Sequence, residues 1–409
     1  MRVRTLSLVN FRNYARLELA LPERPLLLYG ANAQGKTSLL EAIYLLATGS
    51  SPLTSVDREM INWQADADPL PYARVRAEVA HRGSIHEVEI ILEKQPLSNG
   101  ADRLQKTVRI DRIRKRRTDL VGLLNAVIFM PQDVELVSGP PAKRRRYMDD
   151  TLCQVSSEYA EALERYETAL RQRSAALRHL AERGGDPAQM APFEEALAHE
   201  GVRIVHWRRL LTAALSRRAN RIHQQLTNGA EWLRMDYAPN FDVAAPPTLR
   251  YQMSLEIPSL APSADFDEDS LVQAFRQTLV AGRDREIARG VTLVGPHRDD
   301  CHFIAGNPGQ GTHEVNLGTF GSRGQQRTAV LSLKLAELVW MQDQTGEAPV
   351  FLLDEVLAEL DATRRHYLLA QVGKVEQALL TATDPGMFSA DFRQQAVAWE
   401  VRSGLVVAA

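Results

Sequence analysis

Apolar residues alternate with polar ones at the start of the chain: Leu6, Leu8 and Phe11, then Leu17, Leu19 and Leu21, on either side of Arg12–Asn13. A period of two predicts two β-strands joined by a tight turn. A wholly apolar run from Leu26 to Tyr29 then ends on Gly30, and the period changes. Leu39, Leu40, Ile43 and Leu46 recur at helical spacing, so a strand, a glycine-bounded loop and a helix follow one another. Alternation returns between Tyr72 and Asp111 (Val75, Ala77, Val79; Val88, Ile90, Leu92; Val108, Ile110), where more strands are expected.

The middle of the chain changes character. From Lys143 to Arg183, Val155, Tyr159, Leu163, Tyr166, Leu170 and Leu177 stand mostly three or four apart among Glu and Arg. Gly184, Gly185 and Pro187 break the pattern, which resumes at Phe193 and runs through Leu197, Ile204, Leu211, Leu215, Ile222 and Leu226. Two long helices with a short break predict an antiparallel hairpin of about forty residues per arm. Trp232 to Asp269 reads as short strands and loops, and a further helix runs to Gly290. VTLVG (Val291 to Gly295) and VFLLD (Val350 to Asp354) read as strands. The near-continuous apolarity of the second is that of a parallel sheet covered on both faces. The pattern as a whole predicts an α/β fold: a head with a mixed or parallel sheet, formed from residues 1–139 and 290–409. A mainly α-helical arm, residues 140–289, is inserted between them; it contains the hairpin and a small α/β part.

Composition adds limits more than content. The 409 residues suffice for roughly two to three domains. With 44% hydrophobic and 24% charged residues, the chain reads as soluble and globular, with no membrane-spanning run. Cys153 and Cys301 are the two cysteines, which fits a reducing cytoplasm and excludes a disulfide framework. A net charge of -2 gives no global pull toward nucleic acid, so any such binding falls to local basic surfaces.

The chemistry begins at GANAQGKT. Gly30, Ala31, Asn32, Ala33, Gln34, Gly35, Lys36 and Thr37 match the Walker A phosphate loop, with Ser38 continuing into the helix. Backbone N–H groups of such a loop, and the N-terminus of the helix after it, converge on phosphate oxygens. Lys36 would neutralise the β- and γ-phosphates of ATP, and the Thr37 hydroxyl would ligate Mg2+. A bare match also arises by chance in glycine-bearing turns; here the flanking strand and helix supply the context the mechanism needs. VFLLDE provides the second half. Asp354, at the carboxyl end of a buried strand, would hold the magnesium, and Glu355 is the natural general base for a hydrolytic water. Alone, the pair could be an acidic cap on a strand.

GSRGQQR, Gly321 to Arg327, stands before a helical stretch and shortly before VFLLD. It resembles the signature loop of ABC-type ATPases, with Ser322, Gly324 and Gln325 matching and Arg323 in place of a glycine. In that architecture the loop completes the ATP site of a second subunit, which implies a homodimer formed on ATP. FMPQD places Gln132 at the Q-loop, where the family touches magnesium or the attacking water, and AELD (Ala358 to Asp361) resembles the D-loop. Where many ABC ATPases carry a switch histidine, the chain has Thr381, Ala382, Thr383 and Asp384, so weak, slow hydrolysis is expected.

LVNFRNY, the phosphate loop followed by SLLEAIYLL, FMPQDVELVSGPPAKRRRYMD, GPHRDD and SRGQQR resemble, in order, segments of the RecF family. The resemblance is weakest between Ala181 and Ser270, and the short hairpin argues against the long coiled coils of SMC proteins. It implies an ATP-dependent dimer that binds duplex DNA near single- and double-strand junctions and works with RecR and RecO in loading recombinase at gaps. It also places Arg12 and Asn32 near nucleotide. In GPHRDD, Arg298 could contact phosphate or could bond Asp299 or Asp300 to fix a turn.

Two basic clusters are candidate DNA surfaces: Arg112, Arg114, Lys115, Arg116 and Arg117, and the KRRR run, in which Lys143 and Arg144 lead. Either run could instead be a solvated charged face, and Arg145 and Arg146 could stabilise the base of the arm. Aromatic residues make up 6% of the chain, so recognition of backbone is expected over stacking on bases. A transporter ATPase subunit would show LSGGQ and the switch histidine; a small P-loop kinase would lack the signature loop.

Overall fold

The computed structural model describes residues 1–67, 70–96, 102–241, 267–307 and 314–408. Along the chain come strands β1 (Arg2–Phe11), β2 (Tyr14–Ala20) and β3 (Leu26–Tyr29) and helix α1 (Lys36–Thr48). Strands β4 (Tyr72–His81), β5 (Ser84–Pro96), β6 (Asp102–Ile110), β7 (Ile113–Lys115) and β8 (Ala126–Phe129) follow. Helices α2 (Pro141–Cys153), α3 (Ser157–Arg183) and α4 (Ala191–Leu226) precede β9 (Trp232–Ala238), α5 (Glu268–Ala281) and α6 (Arg283–Arg289). The rest comprises β10 (Asp300–Gly306), β11 (Val315–Asn316), α7 (Arg323–Thr345), β12 (Val350–Asp354), α8 (Ala362–Val372), β13 (Ala378–Ala382), α9 (Ala390–Gln395), β14 (Val397–Arg402) and β15 (Leu405–Ala408).

Two compact units divide the chain, one of residues 1–133 and 334–409, the other of residues 134–333. In the first, a sheet ordered β2-β1-β4-β5-β6-β7 is antiparallel throughout. A second sheet, β15-β14-β3-β13-β12-β8, is parallel except for its edge strand β15. Helix α1 contributes Leu40 and Ile43 to one core with Leu6, Val75 and Ile90 of the first sheet and Leu28, Ile128 and Leu352 of the second. All five residues of β12 and all five of β13 are buried, which fits the near-continuous apolarity of Val350 to Leu353 and Ala378 to Leu380.

In the second unit α3 and α4, of 27 and 36 residues, form the hairpin beside a small antiparallel sheet β11-β10-β9. Three details differ from the sequence reading. The helix expected from Lys143 to Arg183 is broken, because the Ser156 hydroxyl caps a new helix by accepting the N–H of Tyr159 at 3.1 Å. VTLVG is not a strand: Val291 N–H donates to the Glu286 carbonyl (3.3 Å), Leu293 N–H to the Glu286 side chain (2.6 Å) and Gly295 N–H to that of Asn240 (3.2 Å). The head also resumes at Lys334, not at residue 290, since β10 and β11 join β9 in the sheet of the second unit. Of the segment read as short strands and loops, Trp232–Ala238 is the strand β9, and residues 242–266 lie outside the described residues.

Charged side chains organise this second unit. Arg208, 3% exposed, donates to both oxygens of Asp149 (2.8 and 3.0 Å), to Asp299 (3.2 Å) and to the carbonyl of Pro296 (2.7 Å). Asp299 is fully buried and also accepts Tyr237 O–H and the N–H of Asn240. Asp300 receives a bidentate pair from Arg144 (2.6 and 3.1 Å). GPHRDD therefore fixes this unit's interior through Asp299 and Asp300, but their partners are Arg208 and Arg144. Arg298 is exposed, and among the described residues its side chain donates to the Thr292 carbonyl alone, at 3.4 Å.

Candidate functional site

The phosphate loop begins where β3 ends. Gly30 has φ 147°, and a Cβ there would stand 2.4 Å from the carbonyl oxygen of Val401 on neighbouring β14. Gly35, φ 114°, is the N-cap of α1, and a Cβ there would overlap Asn13 and Tyr14. Both glycines are required by backbone shape and by close approach. The loop is pinned from outside: Asn13 Nδ2 donates to the Gln34 carbonyl (2.9 Å), Tyr14 O–H to that of Gly35 (3.0 Å), and Ser403 N–H to Gln34 Oε1 (2.6 Å). Burial raises the Tyr14 phenol well above its usual range, so it remains a donor.

Strand β13 lies between β3 and β12, so the Walker A and Walker B strands are not neighbours. Thr381, near the end of β13, fills the interval. Its hydroxyl donates to Asp354 Oδ1 at 2.7 Å and accepts the N–H of Glu355 at 2.9 Å. Thr37 Oγ1 lies 2.9 and 3.0 Å from the two oxygens of Asp354. A hydroxyl facing a buried carboxylate is the donor set that magnesium takes from a protein when phosphates supply the rest. Burial is the main influence on Asp354 and raises its pKa; hydrogen bonds from Thr381 and Thr37 oppose this, and the Glu355 charge adds to it.

Lys36 Nζ donates to the carbonyls of Gly30 (2.7 Å) and Ala31 (2.9 Å) and lies 3.0 Å from Glu355. Glu355 takes a left-handed backbone, φ 53°, which swings its side chain out of the strand line at a cost of about 1–3 kcal/mol. Arg12 is clamped by Glu41 of α1, 2.8 Å from Nε and 2.6 Å from Nη2, and donates through Nη1 to the Glu59 carbonyl at 2.8 Å. Glu41 is fully buried and also accepts the Ser51 hydroxyl.

A cavity of about 560 Å³ opens over these groups. Of the residues read from the sequence, Arg12, Asn32, Ala33, Gly35, Lys36, Thr37, Ser38, Gln132, Asp354 and Glu355 line it. Asn13, Glu59, Ile61 and Trp63 line it as well, and no spacing in the chain announces the last three. Ser322, Gly324 and Gln325 belong to the second unit. There Ser322 and Gln325 form a reciprocal cap at the start of α7: the Gln325 N–H donates to Ser322 Oγ at 3.2 Å and the Ser322 N–H to Gln325 Oε1 at 3.0 Å. Ser322, Arg323 and Gly324 are exposed. Asp361 of AELD caps α8, accepting the N–H of Arg364 at 2.9 Å.

The basic runs separate. Arg112 to Arg117 are all exposed, around edge strand β7. Arg114 stands directly opposite Arg109 across the ladder, and Arg109 is paired with Glu89 at 3.2 Å. The KRRR run is largely committed within its own unit. Arg144 is buried against Asp300 and is not a surface cation, Lys143 pairs with Glu135, and Arg145 donates to the Asp299 carbonyl at 2.7 Å. Its position beside Asp299 and Asp300 decides this, because a buried carboxylate needs a cation more than the surface does.

Asp354→Asn is expected to leave the ligand-free protein as stable as the wild type or more so. The raised pKa means that the ionised carboxylate carries a cost, lost as pH falls through that pKa; asparagine never carries it. Thermal unfolding with saturating MgATP, about 100-fold above Kd, should stabilise the wild type by about 2.7 kcal/mol and the variant hardly at all. Equal stabilisation of both would remove Asp354 from the metal site.

Fold and pocket define an ATPase head of the ABC and SMC class. The family model described as RecF/RecN/SMC N terminal domain matches residues 2–402. Proteins described as DNA replication and repair protein RecF are 42% identical in Chloroflexus aurantiacus and 39% in Herpetosiphon aurantiacus, covering 100% and 99% of both chains. A solved structure of the recombination mediator protein RecF with ATP superposes with a TM-score of 0.81 at 27% identity, over 100% of this chain and 97% of that one. An SMC head bound to the C-terminal winged-helix domain of ScpA, 15% identical with a TM-score of 0.51, shares the fold. The chain belongs to the RecF family. Among the described residues no helix is long and apolar enough to cross a membrane.

Proposed function

We propose that the chain is an ATP-gated DNA-binding protein of replication and recombinational repair. ATP occupies the cradle of Gly30 to Ser38, with Lys36 on the β- and γ-phosphates. Thr37 and Asp354, with Gln132 beside them, would hold magnesium, which would supply positive charge against the triphosphate. The observation that carries the reading is that the chain has both this cradle and a signature loop, Ser322 to Gln325, whose first three residues are exposed at the start of a helix. An outward helix N-terminus, capped in the free protein by its own Ser322 and Gln325 side chains, suits the γ-phosphate of a second copy once that cap opens. Two copies thus close on ATP and each completes the other's site.

Arg112, Arg114, Lys115, Arg116 and Arg117 then meet duplex backbone near single-strand gaps, where RecR and RecO act with the dimer in loading recombinase. Lys143 plays a lesser part. Hydrolysis releases the pair: Glu355 takes a proton from water as its oxygen attacks the γ-phosphorus, and ADP departs. It is slow, because Thr381 holds Asp354 and Glu355 but has no imidazole to exchange protons with the phosphate.

The test is duplex binding across a salt series, with ATP and with ADP. Wild type should sediment as a dimer on DNA with ATP alone. Arg114→Ser with Arg116→Ser should lower the slope of log affinity against log salt by about 0.9 for each phosphate that the removed guanidinium groups neutralised. An unchanged slope would move the DNA surface elsewhere. A monomer that ignores DNA in both nucleotides would overturn the reading.

A further inference from the structure

Trp63 is 77% exposed and lines the nucleotide cavity. A large aromatic side chain in solvent is uncommon, and one at the wall of a phosphate site has an evident use. The segment that bears it is not loose. Arg12 N–H donates to the Met60 carbonyl (2.8 Å), Asn62 N–H to that of Asn10 (2.8 Å), and Phe11 bridges Ile61. Asn62 is buried; its Oδ1 accepts the Gln64 N–H at 2.8 Å and its carbonyl that of Ala65 at 3.0 Å, closing the turn that carries Trp63. The same end of β1 continues into Asn13 and Tyr14, which hold the phosphate loop. The turn that carries Trp63 is therefore tied by its neighbours to the strand end that holds the phosphate loop, while Trp63 itself is left exposed.

We propose that Trp63, with Ile61 beside it, is the platform on which the nucleobase stacks, and that it makes the site select by the size of the base's aromatic face. This rests on the nucleotide reading of the cavity. A stacking surface discriminates purine from pyrimidine by overlap area and has no hydrogen bond with which to separate adenine from guanine. Among the described residues the wall beyond Arg12 is formed by Glu59, whose carbonyl accepts from Arg12 and whose carboxylate accepts the Thr54 hydroxyl at 2.6 Å, and by apolar Ile61. Preference for adenine over guanine at this wall should therefore be small, and preference for ATP over UTP large.

The experiment measures magnesium-dependent binding of ATP, GTP, UTP and inorganic tripolyphosphate by calorimetry, in wild type, Trp63→Ala and Trp63→Phe. Trp63 is exposed, so its removal leaves the core intact, and thermal unfolding checks this. The expected result is that Trp63→Ala weakens ATP about tenfold, within the range of base–aromatic stacking, and leaves tripolyphosphate unchanged. Trp63→Phe should recover most of the loss, and UTP should lose least. If Trp63→Ala binds ATP as wild type does, or loses tripolyphosphate in equal proportion, the platform is overturned while the phosphate site stands. If wild type binds neither ATP nor tripolyphosphate, the nucleotide reading falls and the platform with it.

Discussion

Glu355→Gln is expected to slow ATP hydrolysis by about 10²–10⁴-fold and to leave nucleotide binding intact. The amide is nearly isosteric, and the N–H of residue 355 keeps its bond to Thr381, so the left-handed turn that presents the side chain survives. What disappears is the proposed proton acceptor. In the free protein Glu355 also lies 3.0 Å from Lys36, so the carboxylate competes with phosphate for the lysine. Glutamine removes that competitor and one like charge beside Asp354, and affinity for ATP should hold or rise. Phosphate release under single-turnover conditions, with calorimetry for binding, separates the two effects. A variant that releases phosphate at the wild-type rate would take the general base away from Glu355. One that loses ATP binding would make the Lys36 pair structural. If the chain closes as the proposed ATP-bound dimer, that dimer should also persist longer in the variant.

Arg208→Ala is expected to be the most damaging single change to the fold of the second unit, at about 3–5 kcal/mol. That corresponds to a fall in Tm of about 6–20 °C. Burial acts against the guanidinium, but Asp149, Tyr159, Tyr237 and Asp299 surround it and more than restore its charge. Without it, Asp299 keeps its charge in a fully buried position and Asp149 loses its bidentate partner. The sign with pH follows. Burial already raises the pKa of Asp299, so its ionised form costs stability at neutral pH, and the cost vanishes as pH falls through the folded value. The deficit of the variant relative to wild type should therefore shrink on acidification. Arg208→Lys should recover little, since one ammonium cannot reach Asp149, Asp299 and the Pro296 carbonyl together. Unfolding followed by circular dichroism at neutral and mildly acidic pH decides; a deficit independent of pH would mean poorer packing, not a stranded carboxylate.

Much of the catalytic half was legible in the chain because its chemistry is local. A phosphate loop needs particular glycines and a lysine at fixed spacing, and its strand and helix are contiguous with it. Gly30 to Ser38 therefore declared themselves, and all but Ala31, Gln34 and Gly30 among them line the cavity. Asp354 and Glu355 were readable because an apolar run must end somewhere, and here it ends on two acids. The paired period-two segments likewise pointed to the first sheet, in which β1 and β2, and then β4 to β7, follow one another in sequence.

Tertiary structure decided what depends on residues far apart. Thr381 reads as the end of an apolar run; only the order of strands, with β13 between β3 and β12, puts its hydroxyl on Asp354 and Glu355. Glu41 looks like the polar face of an amphipathic helix, yet it is wholly buried and holds Arg12. KRRR reads as a basic surface, but Arg144 turns inward because Asp300 needs a partner there. VTLVG has the composition of a strand and lacks the neighbour a strand requires, so the Glu286 and Asn240 side chains took two of its backbone bonds instead. Periodicity reports which face of a segment is apolar, and motif spacing reports chemistry held within a few residues. Which buried charge meets which, and whether a ladder partner exists, is settled only when distant segments pack, since desolvation attaches to the place and not to the residue type.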